Sequence, residues 1–72
     1  MRKVTPIIYS VGEDYAGFAA ELPGATGQGR TIEEAIEEIC EAVEELVIEY
    51  KIRNVPVPWK VVVRTEPVTV SV

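Results

Sequence analysis

Histidine is missing from this chain altogether, and with it go the commonest general base, the usual activator of a serine or cysteine nucleophile and the most frequent transition-metal ligand. Ser10 and Ser71 accordingly have no partners for a hydrolase triad. Cysteine is nearly missing as well. Cys40 stands alone, so neither an internal disulfide nor a Cys/His zinc cluster can form, and a single thiol fits a reducing compartment. No run of about 18 apolar residues is present, and Arg2 and Lys3 lead into no hydrophobic signal region. A soluble, cytoplasmic protein without a membrane partner is expected. Positive charge is scarce too, with 7 lysines and arginines against 12 acids for a net charge of -5. Binding of free nucleic acid wants a basic patch, so DNA or RNA is not the expected direct partner. The aromatics Tyr9, Tyr15, Phe18, Tyr50 and Trp59 are few and scattered. They make no stacking platform for single strands, and core or interface anchoring is their expected role.

The most informative stretch is Thr31–Lys51, TIEEAIEEICEAVEELVIEYK. Ile32, Ala35, Ile36, Ile39, Ala42, Val43, Leu46, Val47 and Tyr50 recur at steps of three and four, which lays one apolar stripe along a helix. Glu33, Glu34, Glu37, Glu38, Glu41, Glu44, Glu45 and Glu49 fall mostly on the remaining arc. The start carries a capping box, T-x-x-E, in which Thr31 accepts from the Glu34 amide and the Glu34 carboxylate returns to the Thr31 amide. Carboxylates in the first turn and Lys51 and Arg53 at the far end both suit the helix dipole. Pro56 disfavours helical geometry at Val55, so the helix should stop near Asn54.

A chain of 72 residues has room for a single domain, residues 1–72, and one modest core. With no disulfide and no zinc cluster to help, self-association as a dimer or tetramer is the expected support. The remaining residues read as strands that cover the apolar stripe. Val4–Val11, VTPIIYSV, predicts a first strand with Pro6 at an edge or at its start. After the polar turn Gly12, Glu13, Asp14, a second strand is expected over Tyr15–Leu22. In it Phe18, Ala20 and Leu22 face the helix while Ala19 and Glu21 face away. The tight connection predicts an antiparallel hairpin. A brief third strand over Ala25–Gln28 pairs with the second. Beyond the helix, NVPVP forms an extended connector. Trp59–Thr65 predicts a further strand, and Val68, Val70 and Val72, alternating with Thr69 and Ser71, a closing edge strand or an arm to a neighbouring subunit.

The glycines Gly24, Gly27 and Gly29 are read as turn geometry. A phosphate-cradling loop wants G-K-[ST] after them, and GQGRT supplies neither the lysine nor the spacing. Cys40, near the edge of the apolar stripe, is expected to be a packed, inert thiol. Glutamates three and four apart can in principle hold a hard cation, but such sites usually add backbone carbonyls and shorter Asp or Asn ligands from a loop. A solvated acidic face is the expected role. No catalytic residue, metal ligand or cofactor site is therefore expected, and the chain is not read as an enzyme.

The segment GEDYAGFAAELPGATGQGRTIEEAIEEICEAVEELV resembles the short domain of HicB-like antitoxins. The similarity rests on Glu13 and Asp14 in the turn, Phe18 in the strand, and Leu22, Pro23 and Gly24 in an LPG turn. Gly29 and Thr31 stand before the helix, Glu33, Glu34 and Ala35 open it, and Ala42 lies within it. Val55–Pro58 looks like the family's proline-bearing connector, so the likeness covers roughly residues 4–58. Ala20, Glu21 and Ala25 stand where the family often has proline, aspartate and cysteine. The resemblance implies an α+β fold of order β-β-β-α-β, a partial RNase H-like arrangement with an antiparallel sheet packed on one helix. It further implies an antitoxin that neutralises a small basic mRNA-cleaving toxin of the HicA type by covering its active surface. Family members usually continue into a DNA-binding region that this chain does not show, so it is expected to be a short stand-alone domain without direct DNA binding. The exposed carboxylates Glu37, Glu41, Glu44 and Glu45 are the expected partner-binding residues, and Trp59, Val68, Val70 and Val72 the expected self-association residues. The second reading is a homo-oligomeric orphan of the same fold with a structural, regulatory or small-ligand role and no toxin partner.

Overall fold

The structure, a computed structural model, describes residues 2–62. Among them, strands β1 (Pro6–Val11), β2 (Asp14–Ala19) and β3 (Thr26–Gly29) precede a helix α1 (Ile32–Ile52). The strands form one antiparallel sheet in the order β1-β2-β3, and α1 packs across one side of it, which makes the fold α+β as expected. No helix among the described residues is long and apolar enough to cross a membrane.

The hairpin is set locally. Val11 faces Asp14 across the two-residue turn Gly12-Glu13, and Gly12 has φ +62° while Glu13 keeps an ordinary negative φ. A glycine at the first central position suits the turn type whose twist matches that of paired strands. Pro6 is the first residue of an edge strand, where its missing N–H costs the ladder nothing.

The face assignment of β2 is the reverse of the expectation. Ala19 is fully buried against the helix, in register with Pro6, and Gly17 is buried beside it opposite Ile8. Phe18 and Ala16 point to the other side of the sheet, alternating with them. The strand stops at Ala19, so Leu22 reaches the core not by alternation but through a turn held by Leu22 N–H to Ala19 O (3.1 Å) and Ala25 N–H to Leu22 O (2.8 Å). Glycine decides the phase. A Cβ added to Gly27 would lie 2.7 Å from Glu38 Cβ and from the Ile39 amide nitrogen, and one added to Gly29 would lie 2.5 Å from Glu34 Cβ. The helix backbone thus rests directly on β3, and the buried inward positions of β2 beside Gly27 hold Gly17 and Ala19 rather than phenylalanine, with half-buried Tyr15 further along, opposite Gly29.

The core is Ala19, Leu22, Ala25, Ile39 and Val43, with Val4, Ile8, Ala42, Leu46, Val47, Val57 and Trp59 packed around it. Full burial of an Ile or Val side chain is worth about 1.5–3 kcal/mol, so Ile39 and Val43 carry much of the helix's attachment. The helix begins as expected at an N-cap Thr31 whose Oγ1 accepts from Glu34 N–H at 3.1 Å. The return half of the capping box differs: Glu34 Oε2 accepts from Arg30 N–H at 3.2 Å, one residue before the cap. At the other end Asn54 takes the left-handed conformation (φ +56°), with Asn54 N–H bonded to Lys51 O and Val55 N–H to Tyr50 O, a Schellman closure.

The connector then returns to the sheet. Trp59 N–H donates to Val57 O across Pro58, and Lys60 N–H donates to Glu21 O at 2.8 Å. These amides are used in a turn and a loop contact rather than a ladder, so Trp59–Val62, expected as the start of a strand, lie in no strand. The rest of that strand, and Val68, Val70 and Val72, lie outside the described residues.

Candidate functional site

Eight glutamates of α1 divide into two groups by what they touch. Glu34 and Glu38 lie over β3 and accept from Arg30 N–H (3.2 Å) and, at the long limit of 3.5 Å, Gln28 N–H. Glu49 pairs with Arg53 Nε at 2.7 Å. The others, Glu33, Glu37, Glu41, Glu44 and Glu45, are exposed and accept no hydrogen bond from another described residue. Steps of four and three along Glu33, Glu37, Glu41 and Glu44 set them in one stripe, with Glu45 beside it. All four expected partner-binding carboxylates, Glu37, Glu41, Glu44 and Glu45, are therefore together on the side of the helix turned away from the sheet.

Two apolar side chains lie within that acidic arc and were not read from the sequence as part of it. Ile48, four residues after Glu44, is 56% exposed, and Ile52, one turn further, is 75% exposed. Their signal was present: they are isoleucines out of phase with the buried stripe. A surface of unpaired carboxylates with two protruding isoleucines at one end attracts a basic partner at a distance and offers it apolar contact on arrival.

Comparison with known proteins yields no match among family models, curated proteins or solved structures.

Elsewhere one carboxylate stands apart from the solvated ones. Glu21 is 5% exposed and accepts from Thr5 Oγ1 (2.6 Å) and Thr5 N–H (2.7 Å). Burial works to raise its pKa, but the hydrogen bonds from Thr5 and its own amide, with Lys3 nearby, hold the carboxyl below its ordinary value. It was expected to face away from the helix. Instead it ties the approach to β1 to the turn after β2, and its backbone carbonyl anchors Lys60. Glu21 borders a cleft of about 530 Å³ lined by Lys3, Thr5, Trp59, Lys60, Val61 and Val62. Its carboxylate oxygens are engaged by Thr5, so the role visible here is structural.

Trp59 is half-buried against the core cluster, with the Arg2 guanidinium 4.9 Å from its ring centroid, a cation–π contact within the chain. Cys40, expected to be packed, is exposed. It borders a shallow apolar groove of about 560 Å³ formed with Val4, Val43, Val47 and Ile48. The reason is angular: on the helix Cys40 lies between the buried stripe and the acidic arc, and no described strand reaches that flank. Among the described residues, no three His, Cys, Asp or Glu side chains are grouped so as to hold a metal ion.

Proposed function

We propose that the chain is a HicB-like binding protein that neutralises a small basic mRNA-cleaving toxin of the HicA type by covering its active surface in the cytoplasm. The observation that carries this reading is the stripe of exposed carboxylates, Glu33, Glu37, Glu41, Glu44 and Glu45, unpartnered among the described residues and ending in exposed Ile48 and Ile52. The β-β-β-α order fits the resemblance in the sequence, and a partial RNase H-like arrangement is part of the same reading. An acidic stripe speeds encounter with a basic protein and repels the RNA that competes for its surface. The isoleucines supply the desolvated contact that charge alone does not.

Isothermal titration of the chain with a HicA-type toxin encoded beside it tests the proposal. Binding at micromolar concentration or tighter, weakened by salt, is expected. Glu37→Lys, Glu41→Lys, Glu44→Lys and Glu45→Lys combined should reduce affinity about a hundredfold or more. Absence of binding by the wild-type chain at micromolar concentration sinks the reading. A second reading, a homo-oligomeric protein of this fold without a toxin, is favoured by a different surface, the outer face of the sheet with its exposed Ile7, Tyr9 and Val11.

A further inference from the structure

We infer that the outer face of the sheet packs against the same face of a second copy, about a two-fold axis that crosses the strands at Tyr9, to give a dimer of stacked sheets. An antiparallel sheet with one solvated face normally sets polar residues on that face. β1 instead sets Ile7 (40% exposed), Tyr9 (52%) and Val11 (53%) there. On β2 the half-buried Phe18 stands beside Ile7, and Ala16 beside Tyr9, which joins them into one apolar patch. Exposed Thr26, Gln28 and Asp14 form its polar rim. A contiguous apolar patch rimmed in this way marks a protein contact.

The face is independent of the sheet's edges. Strands are added to a sheet in its own plane, so a further strand beside β1, from residues 63–72 or from elsewhere, would leave Ile7, Tyr9 and Val11 turned outward as they are.

Charge selects the occupant and its orientation. Of the described strand positions on this face Asp14 alone is charged, whereas α1 carries eight glutamates, so a second chain of net charge -5 is repelled from the helix and meets least repulsion here. The two ends of the face differ in sign. Where β1 begins, exposed Lys3 and Lys60 outweigh the Glu21 carboxylate beside them; where it turns, exposed Glu13 and Asp14 outweigh Arg30. The two-fold axis across the strands lays the sheets antiparallel, Tyr9 over Tyr9 and Ile7 over Val11, and sets each basic end over the acidic turn of the other copy. An axis along the strands would stack like ends on each other. A second copy thus supplies, by symmetry, the reversed charges at the matching distance from an apolar centre. The carboxylate arc of α1 stays open, so the pairing holds with or without a basic partner there.

Sedimentation equilibrium of the full 72-residue chain, with no partner added, decides the matter, and circular dichroism of each variant is the folding control. The expected result is a dimer of twice the 7.9 kDa chain mass. Tyr9→Lys and Tyr9→Glu should each weaken dimerisation about tenfold or more, since like charges then meet on the axis, and mixing the two should restore it. Ala16→Glu, on the middle strand of the described sheet and so remote from a contact made along an edge, should also weaken it about tenfold or more. A chain that stays monomeric up to about 100 µM overturns the inference, since such weak self-association would leave the face unused at ordinary concentrations. A face covered by residues 63–72 of the same chain gives that result. A dimer indifferent to Ala16→Glu is held by a strand edge or by α1 and overturns the inference equally, as do two Tyr9 variants that fail to recover on mixing.

Discussion

The two sides of the sheet invert the usual relation between hydrophobicity and burial. On the helix side the buried positions of β2 and β3 are small, Gly17 and Ala19 with Gly27 and Gly29 close under α1, while the outer side shows Ile7, Tyr9 and Val11 to solvent. What is buried under α1 is set by how closely two backbones approach, and Ile7, Tyr9 and Val11 occupy the opposite face, where they stay exposed. A glycine-bearing strand can thus be the best-covered part of a small fold. An exposed row of large apolar residues marks where a further partner has room.

The sharpest way to break this comparison is to substitute two adjacent residues of β3. Gly27→Val places side-chain atoms where Glu38 Cβ and the Ile39 backbone already are, so α1 must lift; a loss of about 3 kcal/mol or more in urea unfolding is expected. Gln28→Val, one residue along and facing outward, should change stability by about 0.5 kcal/mol or less. Equal effects at the two positions would end the account of the close approach.

A smaller effect tests the buried carboxylate of Glu21. Glu21→Gln weakens the charge-assisted bonds from Thr5, and about 1–2 kcal/mol of stability should go with them at neutral pH. Because the folded-state pKa of Glu21 lies below its unfolded value, its contribution is present above the unfolded pKa and is lost as pH falls through the folded one. Wild-type stability should therefore drop in the acid range below the ordinary glutamate pKa, and the Gln variant should show a flatter profile in denaturant titrations repeated across that range. The smallest effect concerns a purely local contact: Thr31→Ala removes the N-cap acceptor of Glu34 N–H and should cost about 1 kcal/mol in thermal or urea unfolding, wherever α1 packs.

These effects follow how far each feature could be read without coordinates. The helix, its cap at Thr31, its end near Asn54 and the glycine turn of the hairpin all depend on hydrogen bonds and dihedrals within a few residues, and each was legible. So was the acidic stripe, since helical periodicity alone sets Glu37, Glu41, Glu44 and Glu45 on one side. Ile48 and Ile52 were overlooked because attention to the buried stripe passes over apolar residues out of phase with it. Cys40 was misplaced for a related reason. A residue at the border of a stripe is packed or exposed according to whether a strand reaches that flank, which no local pattern records.

The amino-acid order by itself determined one amphipathic helix of known bounds, a hairpin with a glycine turn, and a one-sided display of negative charge. Only the tertiary structure decided which phase of β2 turns inward, that Glu21 is covered and bonded to Thr5, and that Ile7, Tyr9 and Val11 of β1 stay outside. A strand's period of two offers two faces of equal local merit. The choice between them was made by a contact between residues far apart in the chain, the α1 backbone against Gly27 and Gly29, which leaves no room for a side chain at those two positions.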